Sequence, residues 1–224
     1  MASPVVLLHG FTGSVRSTWK PTGILELLSD FGKEALPIDM AGHGEAELKS
    51  HDPADYAELE AKLLANLPEG PIDGVGFSAG ARVLLSMASM EPERFGKLVV
   101  AGVGKNLFER SEDGGERIAA GVAGEAAEDD TFAQTFGRYA SEPGQDAGAL
   151  AAFMRRKHAP LGLAELAKIT APVAVVLGTE DFAGPADPLI EALPNAQLFS
   201  LRGVDHFATP KDFGFIDAVL NWLG

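Results

Sequence analysis

Six short apolar runs, at residues 4–8, 34–38, 72–77, 97–103, 172–177 and 196–201, recur along the chain with helix-patterned stretches between them. Each is apolar almost end to end rather than alternating, the pattern of strands covered on both faces. Such strands lie in parallel sheets, and parallel neighbours need crossovers long enough to hold a helix. The chain is therefore predicted to be an α/β protein with right-handed crossovers. Asp52-Pro53 and Thr209-Pro210 each set a capping residue before a proline and predict helix starts. In the last helix Phe213, Ile216, Leu220 and Leu223 are expected on one buried stripe.

One interval breaks the rhythm. From Gly104 to about Glu165 no strand pattern occurs, and the composition shifts to Gly, Ala, Glu and Asp. Between residues 109 and 130 eight acids (Glu109, Glu112, Asp113, Glu116, Glu125, Glu128, Asp129, Asp130) face only Arg110 and Arg117. An insertion after the carboxyl end of a strand lies where open α/β sheets bind ligands. Residues 105–165 are thus expected to form a small helical cap on a core of 1–104 and 166–224, mobile near Ser111-Glu-Asp-Gly-Gly115. The plainer alternative is an acidic surface loop that serves solubility.

Composition narrows the partners. A chain of 224 residues suits one domain with one insertion. Its 18 Lys and Arg against 32 Asp and Glu give a net charge of −14, which repels phosphate backbones and anionic lipid surfaces. Nucleic-acid and membrane partners are not expected; a neutral small molecule is. The absence of cysteine removes disulfides and thiolate chemistry. Met1-Ala-Ser-Pro4 has no basic region, and the apolar run after it is too short for a signal or a membrane span, so the expected location is the cytoplasm.

The stretch Gly76-Phe-Ser-Ala-Gly80 places a serine between glycines where the third strand meets a helix. This is G-x-S-x-G in its required strand–turn–helix context, with Ser78 as the candidate nucleophile. A serine hydroxyl needs a base. Of His9, His43, His51, His158 and His206, only His206 follows the last strand at the same sheet edge as Ser78. His43 and His51 read as structural, and His158, in Arg155-Arg-Lys-His158, as part of a solvated cap face. The carboxylate that orients the histidine is expected at Asp181, after the fifth strand in Gly178-Thr-Glu-Asp181. Glu180 is expected to point elsewhere and Asp205 to shape its loop. His9-Gly-Phe-Thr-Gly-Ser14 follows the first strand, and the amides of Phe11 and Ala79 are the candidate oxyanion donors. Phe11, Phe108, Phe132, Phe136 and Phe153 are candidate pocket-lining residues, with ordinary core as the plainer reading, and Phe11, Phe108 and Phe136 are the ones expected to touch substrate. No metal-ligand or nucleotide motif occurs.

These pieces, with Asp39-Met-Ala-Gly-His-Gly44 and Asp205-His206, resemble the α/β-hydrolases over nearly the whole chain. The resemblance implies a mainly parallel sheet, a cap, the order Ser–Asp–His for the triad, and catalysis without a cofactor. With almost nothing before the first run, the two amino-terminal strands usual in that superfamily are expected to be missing, leaving about six. A serine nucleophile argues against the haloalkane dehalogenases and epoxide hydrolases, whose members use aspartate. Carboxylic-ester hydrolysis by a monomer or homodimer is the expected activity. Two features point elsewhere: His9-Gly-Phe-Thr-Gly-Ser14 with Trp19, and Ser78-Ala-Gly-Ala-Arg82, are similar to menaquinone-pathway synthases, in which an arginine at the position of Arg82 binds substrate. C–C bond hydrolases are a further relative, although their serine is usually followed by Met-Gly. A non-catalytic binding protein that keeps the pocket is the alternative from another class.

Overall fold

The computed structural model describes residues 3–108 and 112–224. Six strands form one sheet: β1 (Val5–Leu8), β2 (Ala35–Ile38), β3 (Ile72–Phe77), β4 (Phe95–Ala101), β5 (Val173–Gly178) and β6 (Ala196–Leu201). Their order is β2-β1-β3-β4-β5-β6 and every pairing is parallel. The sequence runs match these strands to within two residues, the largest offset being at β4. All six carboxyl ends therefore lie on one edge of the sheet. Strand order reverses direction between β1 and β3, so that edge holds a topological switch point, where open sheets bind ligands.

Side-chain alternation sorts the core into two layers. Val6, Leu8, Val173, Val175 and Leu177 join the cluster on one face, beneath α2 (Leu59–Asn66) and α3 (Ala79–Met90). Val5, Leu7, Ala174 and Val176 join the other, against α1 (Ile24–Asp30) and α9 (Phe213–Leu223). The α9 stripe is Phe215, Ile216, Val219 and Leu223; Phe213, expected in it, is 88% exposed. The reason is the cap. Thr209-Pro210 opens only a 3₁₀ turn, and Asp212 caps α9 by accepting from the Gly214 amide, which puts Phe213 at the solvent end. Asp52 behaves likewise: it caps the 3₁₀ turn Pro53–Tyr56, and α2 begins only at Leu59.

Between β4 and β5 the described residues form four helices, α4 (Glu112–Ala123), α5 (Thr131–Ala140), α6 (Ala147–Arg155) and α7 (Leu163–Leu166). The mobility expected near residues 111–115 falls partly on Ser111, outside the described residues; from Glu112 onward the backbone is helical. Part of the acid excess is paired. Asp130 takes a two-pronged ion pair from Arg117 and caps α5, which holds its carboxyl at about 2. Arg155 binds Glu116 and Glu125. Val122, Phe136, Ala140 and Leu150 form a third cluster, against which Phe11 and Phe207 from the sheet edge pack. Among the described residues no helix is long and apolar enough to cross a membrane. A final helix, α8 (Asp187–Ala192), connects β5 to β6.

Candidate active site

Ser78 ends β3 and precedes α3 with φ 53° and ψ −113°, a backbone conformation that strains a residue with a side chain. The neighbouring glycines make it feasible. A Cβ on Gly76 would lie 2.6 Å from the Ala81 Cα, and one on Gly80 would collide with the Leu8 carbonyl and lie 2.5 Å from that of His9. The strand can thus fold back sharply enough to expose the hydroxyl above the sheet edge. The Ser78 amide is tied to the Ala101 carbonyl of β4 at 2.8 Å, which fixes the turn.

His206, from the loop after β6, presents Nε2 to the Ser78 Oγ at 3.0 Å. Its Nδ1 faces both oxygens of Asp181, at 2.9 and 3.0 Å. Asp181 follows β5 and is itself held by the Ala183 amide, which donates to Oδ1 at 2.8 Å. His206 and Asp181 are both buried. The imidazole packs against Phe182, with ring centroids 4.2 Å apart, and Phe77, at 5.0 Å. Glu180 is exposed and takes no part; Asp205 accepts from the Ala208 amide and shapes the turn, as expected. The geometry therefore brings the three sequence candidates into one hydrogen-bonded series.

Phe11 lies in the loop after β1, next to Thr12, which sits at a positive φ of 61°. Among the described residues the Phe11 and Ala79 amides have no acceptor. The Ala79 amide also opens α3, where the helix dipole favours negative charge. Two histidines brace this loop from below. His9 accepts from the Met40 amide at 3.1 Å, and His43 packs edge-on against Phe11 and Phe153. Burial pushes the His43 imidazole well below the ordinary histidine range, with the nearby His9 adding to it. Burial also lowers His9, against the opposing pull of the Gly10 carbonyl and Asp39. Asp39 joins the two loops by accepting from the amides of Val15 at 2.6 Å and Glu45 at 2.7 Å. The structural reading of His43 thus fits its place.

Two cavities meet at Ser78. One, of about 130 Å³, is lined by His206, Phe207, Tyr139, Thr18 and Lys211 among others. The second, of about 140 Å³, is lined by Ala79, Arg82, Val103, Met154 and Phe182 among others. Phe11 and Phe136 line both. Phe153 lines the second, whereas Phe132 packs on Phe136 and Phe182. Phe108 lines neither cavity; it turns into the main core, because the chain after β4 doubles back in a 3₁₀ turn at Lys105–Leu107. Arg82 donates to the Ala159 carbonyl at 3.1 Å. The solvated face expected around His158 is only partly so: Arg156 is buried, 3.7 Å over the Phe153 ring, and with His158 lines the second cavity. Sequence reasoning missed Tyr139, Phe182 and Phe207; the last two directly follow Asp181 and His206, which was the available signal. Among the described residues no group of three or more His, Cys, Asp or Glu side chains is placed to hold a metal ion.

An open parallel sheet with a G-x-S-x-G serine, a histidine and an aspartate at its carboxyl edge defines the class of α/β proteins to which this chain is to be compared. Residues 5–214 match the model of the Alpha/beta hydrolase family, and the chain belongs to that family. It is 30% identical over 112 residues to an esterase of Mycobacterium tuberculosis, covering 49% of this chain and 36% of that one. It is 33% identical over 118 residues to the 2-succinyl-6-hydroxy-2,4-cyclohexadiene-1-carboxylate synthase of Citrobacter koseri, covering 52% and 45%. The chain spans less than half the length of either curated relative. A thermophilic esterase from Thermogutta terrifontis shares the fold, with a TM-score of 0.72, 20% identity, and coverage of 100% of this chain and 90% of that one.

Proposed function

We propose that the chain is a serine hydrolase of carboxylic esters that works through an acyl-enzyme. The observation that carries this reading is the unbroken series Ser78–His206–Asp181, with 3.0 Å at the first link and 2.9 Å at the second. His206 Nε2 takes the hydroxyl proton as Ser78 Oγ bonds to the acyl carbon. The proton held between Nδ1 and Asp181 fixes the imidazole tautomer, and the carboxylate stabilises the imidazolium. Negative charge gathering on the former carbonyl oxygen meets the Phe11 and Ala79 amides, each worth about 10²–10³ in rate by analogy with such donors elsewhere. His206 then protonates the departing alkoxide, and water activated by the same nitrogen releases the acid. Every step uses groups of this chain, and residues 105–165 act as a cap that forms one side of both cavities. The similarity to the mycobacterial esterase supports this reading.

A second reading has one specific observation behind it. Arg82 lines the same cavity as Ser78, and an arginine there grips a carboxylate in two-pronged fashion. With the similarity to the Citrobacter synthase, this favours a carboxylate-bearing substrate and the chemistry of a menaquinone-pathway-type synthase or a C–C bond hydrolase. Hydrolysis of p-nitrophenyl esters by wild type, Ser78→Ala and Arg82→Ala separates the two. Turnover lost in Ser78→Ala and kept in Arg82→Ala supports the ester reading. Inert esters, with a carboxylate-bearing substrate consumed in an Arg82-dependent way, support the second.

A further inference from the structure

We propose that the two cavities divide an ester substrate at Ser78: the acyl group occupies the cavity of Ala79, Val103 and Met154, and the alcohol occupies that of His206, Phe207 and Tyr139. The assignment rests on the serine acyl-transfer reading. In the tetrahedral adduct the former carbonyl carbon carries four groups. One is Ser78 Oγ, and a second is the oxyanion, which faces the Phe11 and Ala79 amides. The third, the leaving oxygen, must face His206 Nε2, because the imidazolium hands it a proton as the C–O bond breaks. His206 lines only the first cavity, so the alcohol lies there. The acyl chain takes the direction that remains, into the second. Once the alcohol has left, water enters from the vacated side. Its oxygen bonds to the acyl carbon while its proton passes through His206 to Ser78 Oγ, and the acid departs.

The volumes set the size of each half. A cavity of about 150 Å³ lined by apolar side chains holds a benzene molecule. At about 130 and 140 Å³, the two cavities each suit a group of that bulk. The Phe11–Phe136 pair, with ring centroids 6.0 Å apart, is their shared wall. Their linings differ. Val103, Leu107, Ile118 and Met154 give the acyl side an apolar wall, with Arg82, Asn106, Arg156 and His158 as its polar side, whereas Thr18, Glu142 and Lys211 are the polar groups of the alcohol side. The substrate class is thus an ester of a short, apolar or aromatic acid with a compact alcohol or phenol, rather than a long-chain lipid.

The test is a matrix of esters: acetyl, butyryl, hexanoyl, benzoyl and decanoyl acids, each with methyl, phenyl and benzyl alcohols. Wild type is expected to prefer hexanoyl or benzoyl esters and to lose at least tenfold in kcat/KM at decanoyl. Met154→Ala should move the acyl optimum to longer chains and Met154→Trp to shorter ones, each by about tenfold in the relevant kcat/KM ratio. Neither should reorder the alcohols. Tyr139→Ala should reorder the alcohols and leave the acyl ranking alone. Added benzyl alcohol supplies a second readout, since all esters of one acid pass through one acyl-enzyme. The ratio of benzyl ester to free acid should be independent of the leaving group, changed by Tyr139→Ala, and unchanged by either Met154 variant. Rankings that respond the other way round, or to neither variant, overturn the assignment while leaving a serine esterase standing. Absence of turnover across the matrix, with no fluorophosphonate adduct at Ser78, overturns the assignment and the esterase reading together.

Discussion

Replacing Asp181 by Asn isolates the least conspicuous member of the site. The two side chains are nearly the same size, and the Ala183 amide selects the orientation of the new one. It donates to the Oδ1 position at 2.8 Å, which must therefore remain a carbonyl oxygen. The amide nitrogen of Asn then falls at the Oδ2 position, 3.0 Å from His206 Nδ1, where its N–H competes with the ring proton, and the remaining carbonyl, 2.9 Å from Nδ1, must serve both the imidazole and the Ala183 amide. Relief comes when the imidazole carries its proton on Nε2 instead. That N–H points at the Ser78 Oγ, 3.0 Å away, and donates where it should accept. Any imidazolium formed also lacks its counter-charge. The expected loss in kcat is about 10³–10⁴, or roughly 4–5.5 kcal/mol of transition-state stabilisation at about 1.4 kcal/mol per tenfold. Ester turnover, the rate of fluorophosphonate labelling and thermal unfolding are measured together. Turnover and labelling should fall in step, because both use the same base, while the unfolding midpoint stays within a few degrees. Activity within tenfold of wild type in a folded Asp181→Asn protein would refute the reasoning and remove Asp181 from the site.

Other perturbations test the supports of the site. Gly80→Ala drives a Cβ into the Leu8 and His9 carbonyls, and is expected to cost about 2–3 kcal/mol in denaturant unfolding, with activity lost alongside; an unaffected midpoint would mean that the turn has slack. Burial keeps His9 and His43 neutral in the folded protein, whereas both protonate readily when unfolded. Their stabilisation is complete above about pH 6.5 and is lost as pH falls, each with a slope approaching about 1.4 kcal/mol per pH unit. Urea titrations at pH 7.5 and 5.5 should show that loss, and equal stability at the two values would contradict it. Gln145, between α5 and α6, donates to the Thr12 carbonyl at 2.7 Å and the Gly13 carbonyl at 3.3 Å, and accepts from the Gly44 amide. Gln145→Ala should lower kcat several-fold through the displaced Phe11 amide, with about 1 kcal/mol lost per bond; a change confined to stability would place Gln145 outside the chemistry.

The four inner strands and the serine were legible because each obeys a local rule, whereas the edge strands β2 and β6, expected to be covered on both faces, are only partly buried because each has a neighbour on one side alone. A doubly covered strand must be apolar throughout, and a strand that turns into a helix within two residues needs glycine at Gly76 and Gly80. Asp181 and His206 were legible because parallel strands deliver their carboxyl ends to one edge. What the residues did not reveal was set by distant contacts. Phe213 follows an apolar period but falls at the first, solvent-facing position of the helix, because Asp212 rather than Thr209 caps it. His158 and Arg156 sit in a basic run that looks solvated, yet the run folds back over Ser78. Gln145 has no signature at all; its role arises from meeting residues 12, 13 and 44, which a single sequence cannot pair.

The central claim is that Ser78 is a nucleophile activated by His206, and covalent labelling tests it most directly. The protein is treated with a fluorophosphonate at neutral pH, and intact mass and peptide mapping locate the adduct. The account predicts one adduct, on Ser78, absent in Ser78→Ala and slowed by orders of magnitude in His206→Ala. An unlabelled folded protein, or an adduct on another residue that persists in Ser78→Ala, would contradict it.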